Sequence, residues 1–199
     1  MANIGGVQIA IEVVERLMKG DPEAQEQVFK ALSGPVYSMA LRIMGDSHAA
    51  EDVAQDTFMD VLTKAHTIRE PSHFVGWVRT LAVNRCYMRL RSPWHRRRVN
   101  YEPVATGAED ATSEMIDVER ALAVMDPKTR LVVWMYCVEG YTHEEIGKLL
   151  KRSTSYSKVI ISRLNQNMEK SRQEEAATQQ TLPNAEAAYS NQWNTMTCQ

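Results

Sequence analysis

Apolar residues in this chain recur every three or four positions, and the readable stretches follow that helical period rather than the alternation of a strand. Ile9, Val13 and Leu17 predict a first helix. Asp21 before Pro22 supplies an N-cap and a proline at the first helical position, and Val28, Leu32, Tyr37, Leu41 and Met44 suit one helix interrupted near Gly34 and Pro35. Gly45, Asp46 and Ser47 end that helix and cap another, which runs to about Ala65. Glu70, Pro71 and Ser72 predict a turn. Phe74, Trp77, Val78, Leu81 and Arg85 then follow the i, i+3, i+4 template into a helix reaching about Arg91, and Pro93 stops it.

Beyond Pro93 the pattern changes. From about Val99 to Met115 the chain carries Pro103, Gly107, acids and hydroxyl residues and has little to bury, as a linker would. A second helical group opens near Glu119, with Asp126 and Pro127 as another cap pair leading into LVVWMYCVEG. Thr142 and Glu145 form an S/T-x-x-E capping box, so a helix starts there and presents Ile146, Leu149 and Leu150 on one face. After the polar break at 151–154 a further helix begins near Ser155, with Ile161, Leu164 and Met168 for packing and Tyr156, Lys158, Ser162 and Arg163 outward. Helix, short turn and basic helix is the helix-turn-helix arrangement, whose second helix enters the major groove of DNA. From Lys170 the chain is polar. The expected fold is all-α: a helical domain over 1–98, a flexible acidic linker over 99–118, a second small domain with the helix-turn-helix over 119–170, and a disordered tail over 171–199.

Charge sharpens this picture, because a net charge of −2 conceals strong segregation. Residues 71–101 contain no acid but hold Arg79, Arg85, Arg89, Arg91, Arg96, Arg97 and Arg98. Residues 99–119 hold Glu102, Glu109, Asp110, Glu114, Asp117 and Glu119 and no lysine or arginine. Residues 146–168 again lack acids and carry Lys148, Lys151, Arg152, Lys158 and Arg163. Two basic blocks on helical patterns point to a polyanion, nucleic acid above all. The third helix is the exception: Asp52, Asp56 and Asp60 stand four residues apart, where like charges on neighbouring turns cost a few tenths of a kcal/mol each.

Several classes of function are disfavoured. No run of about 18 apolar residues occurs, so no membrane insertion is expected, and the first twenty residues lack the basic start and cleavage site of a signal peptide. Cys86, Cys137 and Cys198 are far apart with no C-x-x-C, which fits a reducing, cytoplasmic setting and argues against structural zinc. Glu70-x-x-His73 is half of a di-iron motif whose other half is missing, and His143-Glu144 lacks the second histidine of H-E-x-x-H. No phosphate-binding glycine loop or G-x-S-x-G is present. The expectation is a protein with no catalytic role, no cofactor and no metal.

Five segments carry a resemblance: GDPEA (20–24), YSMALRIMGD (37–46), AEDVAQDTF (50–58), FVGWVRTLAVN (74–84) and YTHEEIGKLLKRSTSYSKVIISRL (141–164). In this order and spacing the chain resembles a bacterial RNA polymerase sigma factor of the sigma-70 family, extracytoplasmic-function type, over about residues 10 to 170. The resemblance implies an N-terminal domain that binds core RNA polymerase and opens the minus-10 promoter element, and a C-terminal domain that reads the minus-35 element. It also implies an anti-sigma partner. The rival reading is a self-sufficient helix-turn-helix regulator, which leaves the acidic row and the first basic block unexplained.

By the same resemblance, Asp52, Gln55, Asp56 and Phe58 match the pattern that docks on the clamp helices of the largest polymerase subunit. A basic partner there would offset the acidic row. Phe58 has a second reading as a core residue. The minus-10 set is Ile68, Trp77, Arg79, Asn84, Arg85, Arg89 and Arg91, with Asn84 at a position implicated in reading a flipped base. Trp77 sits on the face expected to be buried, so core packing competes with base stacking. Ile68 departs from the aromatic residue common there. The minus-35 set is Arg152, Ser155, Tyr156, Lys158 and Arg163; Lys151 stands where the family often has glycine, Arg152 where it has an apolar residue and Ile160 where it has arginine.

Overall fold

The computed structural model describes residues 4–92 and 122–181, with side chains up to Lys170 apart from Gly5, and at Gln173; among these residues there is no strand. The chain forms two compact units, Met1–Lys158 and Val159–Gln199. In the first, α1 (Ile11–Met18), α2 (Pro22–Met44), α3 (Ser47–Lys64) and α4 (Phe74–Arg91) are followed by α5 (Pro127–Val133), a π-helical turn (Trp134–Val138), α6 (His143–Leu150) and the first turn of α7 (Thr154–Thr181). Short 3-10 turns at Ala65–Thr67 and Pro71–His73 connect α3 to α4.

The caps form where the residue types demand them. Asp21 accepts from the Glu23 backbone N–H, Asp46 from that of Ala49 at 2.6 Å, and Asp126 from those of Lys128 and Thr129, each satisfying donors that an open helix leaves unpaired. Gly45 ends α2 in the left-handed conformation at φ 67°. The Thr142–Glu145 capping box is complete in both directions.

Helix faces differ from the expected stripes. α2 is not interrupted at Pro35: it runs unbroken to Met44. Proline inside a helix removes one hydrogen bond and costs about 3 kcal/mol, but Val28, Leu32, Val36, Met39, Ala40 and Ile43 are buried on both sides of it, and that burial outweighs the local penalty. α1 buries Val14 with Leu17 and leaves Val13 half-exposed. α4 buries Phe74, Val78, Ala82, Val83, Cys86 and Leu90, while Trp77, Leu81 and Arg85 flank that stripe half-buried.

Helices α5 and α6 do not stand apart from the first four. α5 packs on α2 and α4, and α6 reaches α4. Trp134, almost fully buried, donates its indole N–H to Glu139 at 3.2 Å and carries the Arg42 guanidinium 5.7 Å above its ring. The division expected at 99–118 falls outside the described residues, and the helices on either side of it share one compact unit ending at Lys158. In the second unit α7 continues to Thr181, past the expected start of the tail at 171, through a run of Glu, Ala and Gln, all good helix formers apart from two threonines. The remainder of the tail lies outside the described residues.

Candidate functional site

α3 and α4 lie side by side and their charged rows face each other. Arg85 sits between two acids of α3, 2.5 Å from Asp60 and 3.6 Å from Asp56, and Arg89 pairs with Asp52. Asp60 also takes Lys64 at 2.5 Å. The repulsion expected along the acidic row is therefore offset inside the chain, by arginines supplied from the next helix. The three carboxylates differ in depth: the Asp60 side chain is 10% exposed, against 59% for Asp56 and 49% for Asp52. Burial works to raise the Asp60 carboxyl, but the bonds from Lys64 and Arg85 hold it below the usual carboxylate range.

Gln55, Asp52 and Asp56 are exposed along α3, and Met59 and Leu62, both exposed, continue that surface. Phe58 is buried and meets Phe29 edge-on at 4.9 Å, so its ring serves the α2–α3 packing. Phe29 itself is half-exposed. Sequence patterning did not single out Phe29, Met59 or Leu62; apolar residues on an otherwise polar face were the available signal.

The remaining α4 residues divide between open and occupied positions. Arg79 donates to the Glu139 carbonyl oxygen at 2.9 Å and lies 4.5 Å above the Tyr141 ring, so in this conformation it is committed to the segment before α6. Tyr87 donates its hydroxyl to the Leu150 carbonyl at 2.9 Å, and Thr80 and Tyr141 share a hydroxyl contact of 3.4 Å. Asn84, half-buried, opens onto a cleft of about 440 Å³ whose walls include Lys64, Arg85, Arg91 and Lys151 with Asp60. Arg91 is exposed with its guanidinium 5.6 Å over Tyr87. Trp77 is half-buried, tilted against Phe74 at 6.0 Å, and so is neither a full core residue nor a free platform. Ile68 follows the Ala65–Thr67 turn in extended backbone and is half-buried.

The turn between α6 and α7 is closed tightly. Lys151 adopts φ 52°, ψ 50°, the one non-glycine left-handed residue among those described. The Arg152 N–H reaches back to the Gly147 carbonyl at 2.8 Å and the Lys151 N–H to that of Lys148 at 3.3 Å, the paired bonds of a Schellman ending. Gly147 has a backbone reason to lack a side chain, since a Cβ there would stand 3.0 Å from the Arg152 oxygen. Ser157 is fully buried and shares a 3.1 Å hydrogen bond with His143 Nδ1, pinning α7 to the start of α6. Arg152 lies 5.7 Å over the ring of Tyr156, which is half-buried, and burial pushes that hydroxyl's pKa up. Ser155 and Lys158 are exposed on the first turns of α7; Arg163, in the second unit, is exposed as well.

Comparison with known proteins accounts for both halves of this geometry. The family model of sigma-70 region 2 matches residues 28–97, and that of sigma-70 region 4 matches residues 115–163. The RNA polymerase sigma factor CarQ of Myxococcus xanthus is 30% identical over 145 residues, 68% of this chain and 82% of that protein. The ECF RNA polymerase sigma factor SigE of Mycolicibacterium smegmatis is 31% identical over 128 residues, 58% of this chain, and the match spans about half of that longer protein, 48%. Among solved structures, the sigma factor RpoE in complex with the anti-sigma factor NepR from Bartonella quintana superposes with a TM-score of 0.57 at 17% identity, covering 73% of this chain and 94% of that one, a likeness of fold. With both regions in order and the helices that define them in place, the chain belongs to the sigma-70 family of RNA polymerase sigma factors, in its extracytoplasmic-function group.

Proposed function

We propose that this protein binds core RNA polymerase in the cytoplasm and directs promoter-specific initiation of transcription, with no catalytic step of its own. The observation that carries the reading is the ordered pair of regions 2 and 4, with an exposed acidic row on α3 and a helix-turn-helix at α6–α7. Asp52, Gln55 and Asp56 form the docking face for the basic clamp helices of the largest subunit. Asn84 and the basic edge of α4 serve the minus-10 strand, and Arg152, Ser155, Tyr156, Lys158 and Arg163 serve the minus-35 duplex, where backbone contacts position and base contacts specify. An anti-sigma partner, as in the solved RpoE–NepR complex, is part of the same reading.

Engaging both promoter elements requires a change of shape. The two elements are centred about 25 positions apart, roughly 80 Å at about 34–36 Å per turn. Helices joined by the Tyr87–Leu150 and Arg79–Glu139 hydrogen bonds cannot reach both at once. The compact unit is thus the form of the free chain, and these contacts open in the transcribing complex.

The test is a pull-down with core polymerase. Asp52→Lys with Asp56→Lys should abolish capture while the protein stays helical by circular dichroism. Normal capture by the folded double variant would refute the docking face, and tight, sequence-specific duplex binding by the free wild-type protein at physiological salt would favour a stand-alone regulator instead.

A further inference from the structure

We propose that His143 and Ser157 form a lock that sets the rotation of the first turn of α7 against α6, which makes His143 a positioning residue for recognition of the minus-35 sequence. The inference rests on the minus-35 role given to α7 above and adds a residue outside the contacts assigned to it. Its basis is what the start of α7 buries. Of residues 154–158, Thr154, Ser155 and Lys158 are exposed, Tyr156 is half-buried, and Ser157 is fully buried. A helix turn that packs through a serine is held by a directional bond rather than by apolar fit.

The imidazole end of that bond is fixed. His143 is the first residue of α6, directly after Thr142, whose capping box with Glu145 is closed in both directions. Its ring lies flat on that of Tyr136, with centroids 4.5 Å apart and 12° between the planes, and Tyr136 belongs to the π-helical turn that precedes α6. The ring plane is thereby set, and Nδ1 meets the Ser157 Oγ at 3.1 Å. The Ser157 hydroxyl also has the carbonyl oxygens of Thr154 and His143 at 3.3 and 3.5 Å, so it keeps a local partner if the imidazole is removed. The lock therefore adds orientation more than stability. The Schellman ending of α6 fixes where α7 starts, and the Ser157 contact fixes how its first turn is rotated. Side chains stand about 5–6 Å from a helix axis, so a roll of about 20° would carry Ser155, Tyr156 and Lys158 through about 2 Å. Hydrogen bonds to base edges tolerate about half an ångström, whereas attraction to phosphates tolerates far more. Releasing the lock blurs base discrimination and leaves backbone affinity nearly intact.

The experiment is run-off transcription by holoenzyme from a promoter library randomised at minus-35, read as the ratio of output between the best and the average sequence, alongside affinity of the same holoenzymes for a promoterless duplex. Ser157→Ala removes the hydroxyl, and His143→Phe keeps the ring on Tyr136 but removes Nδ1. Each should lower the ratio about 5- to 10-fold, the lower end of losing one good base contact, with promoterless affinity unchanged within about 2-fold. The Tm of Ser157→Ala should move little, because alanine is a better helix former than serine. His143→Asn, whose amide reaches the place of Nδ1, should restore the ratio, and the double variant should be no worse than either single one. In the nitrogen NMR spectrum of the free protein, the His143 Nδ1 resonance, assigned by its loss in His143→Phe, should shift in Ser157→Ala. Should Ser157→Ala fail to fold, His143→Phe, at the half-buried end of the pair, carries the same comparison. The proposal is overturned if the variants keep the wild-type ratio, if ratio and promoterless affinity fall together, if His143→Asn behaves like His143→Phe, or if the Nδ1 resonance does not move. A wild-type holoenzyme indifferent to the minus-35 sequence would instead refute the role given to α7, so the two failures are distinguishable.

Discussion

Replacing Lys151 with glycine should stabilise the helix-turn-helix, and the size of the effect follows from one backbone conformation. Lys151 holds φ 52°, ψ 50° at the end of α6. An L-residue with a Cβ in the left-handed region is strained by about 1–2 kcal/mol, while glycine adopts it freely but loses about 0.5–1 kcal/mol more backbone entropy on folding. The difference leaves a net gain of about 0.5–1 kcal/mol. For a cooperative unit of this length that corresponds to a rise in Tm of about 1–4 °C. Lys151→Ala is the necessary partner, because it removes the lysine charge from the helix C-terminus, where a cation is favourable, yet keeps the strained Cβ; it should be neutral or slightly destabilising. Differential scanning calorimetry measures the global shift. Hydrogen exchange at the Arg152 amide, which donates to Gly147 at 2.8 Å, reports closure of the turn itself. If Lys151→Gly is no more stable than Lys151→Ala and the Arg152 amide exchanges no more slowly, the left-handed ending does not carry the strain assigned to it.

Gly147→Ala should do the opposite: a Cβ 3.0 Å from the Arg152 oxygen and 3.3 Å from the Thr154 nitrogen forces the turn to shift, at about 1–3 kcal/mol, against a helix-propensity gain of about 1 kcal/mol. Calorimetry should show a lower Tm, and run-off transcription from minus-35-dependent promoters should fall more than from promoters with a strong minus-10 element; equal losses on both would argue against a local effect. Asp60→Asn should cost about 1–3 kcal/mol at pH 7, between an exposed and a fully buried pair. Because the Asp60 and Asp126 carboxyls are lowered in the folded protein, their stabilisation is complete above the unfolded value near pH 4 and is lost as pH falls through the folded ones. Denaturation of wild type should thus be nearly flat from pH 7 to 5 and weaken below about pH 4. The deficit of Asp60→Asn should shrink on acidification, and a deficit unchanged between pH 7 and pH 3 would refute the pairing as its cause.

What the sequence by itself determined is whatever acts within a turn or two of the chain. Asp21, Asp46, Asp126 and the Thr142–Glu145 box cap helices where they stand, and Gly45 ends one, because a cap is a contact between a side chain and backbone groups two or three residues away. The α6–α7 hairpin was legible for the same reason, as were the exposed acids of α3. Tertiary structure decided the rest. Pro35 is carried through α2 because residues distant in sequence bury that helix on both sides of it. The buried stripe of α4 runs through Ala82, Cys86 and Leu90 rather than Trp77, Leu81 and Arg85, since a helix with apolar residues on more than one face is oriented by what packs against it. The destination of each charge was least legible of all. Arg85 finds Asp60 from 25 positions away, Arg89 finds Asp52 from 37, and Arg79 finds the Glu139 carbonyl from 60. Composition counts such charges and periodicity places them on a face, but a pairing across helices depends on how those helices are laid together, and that is fixed by the burial of apolar side chains elsewhere in the unit.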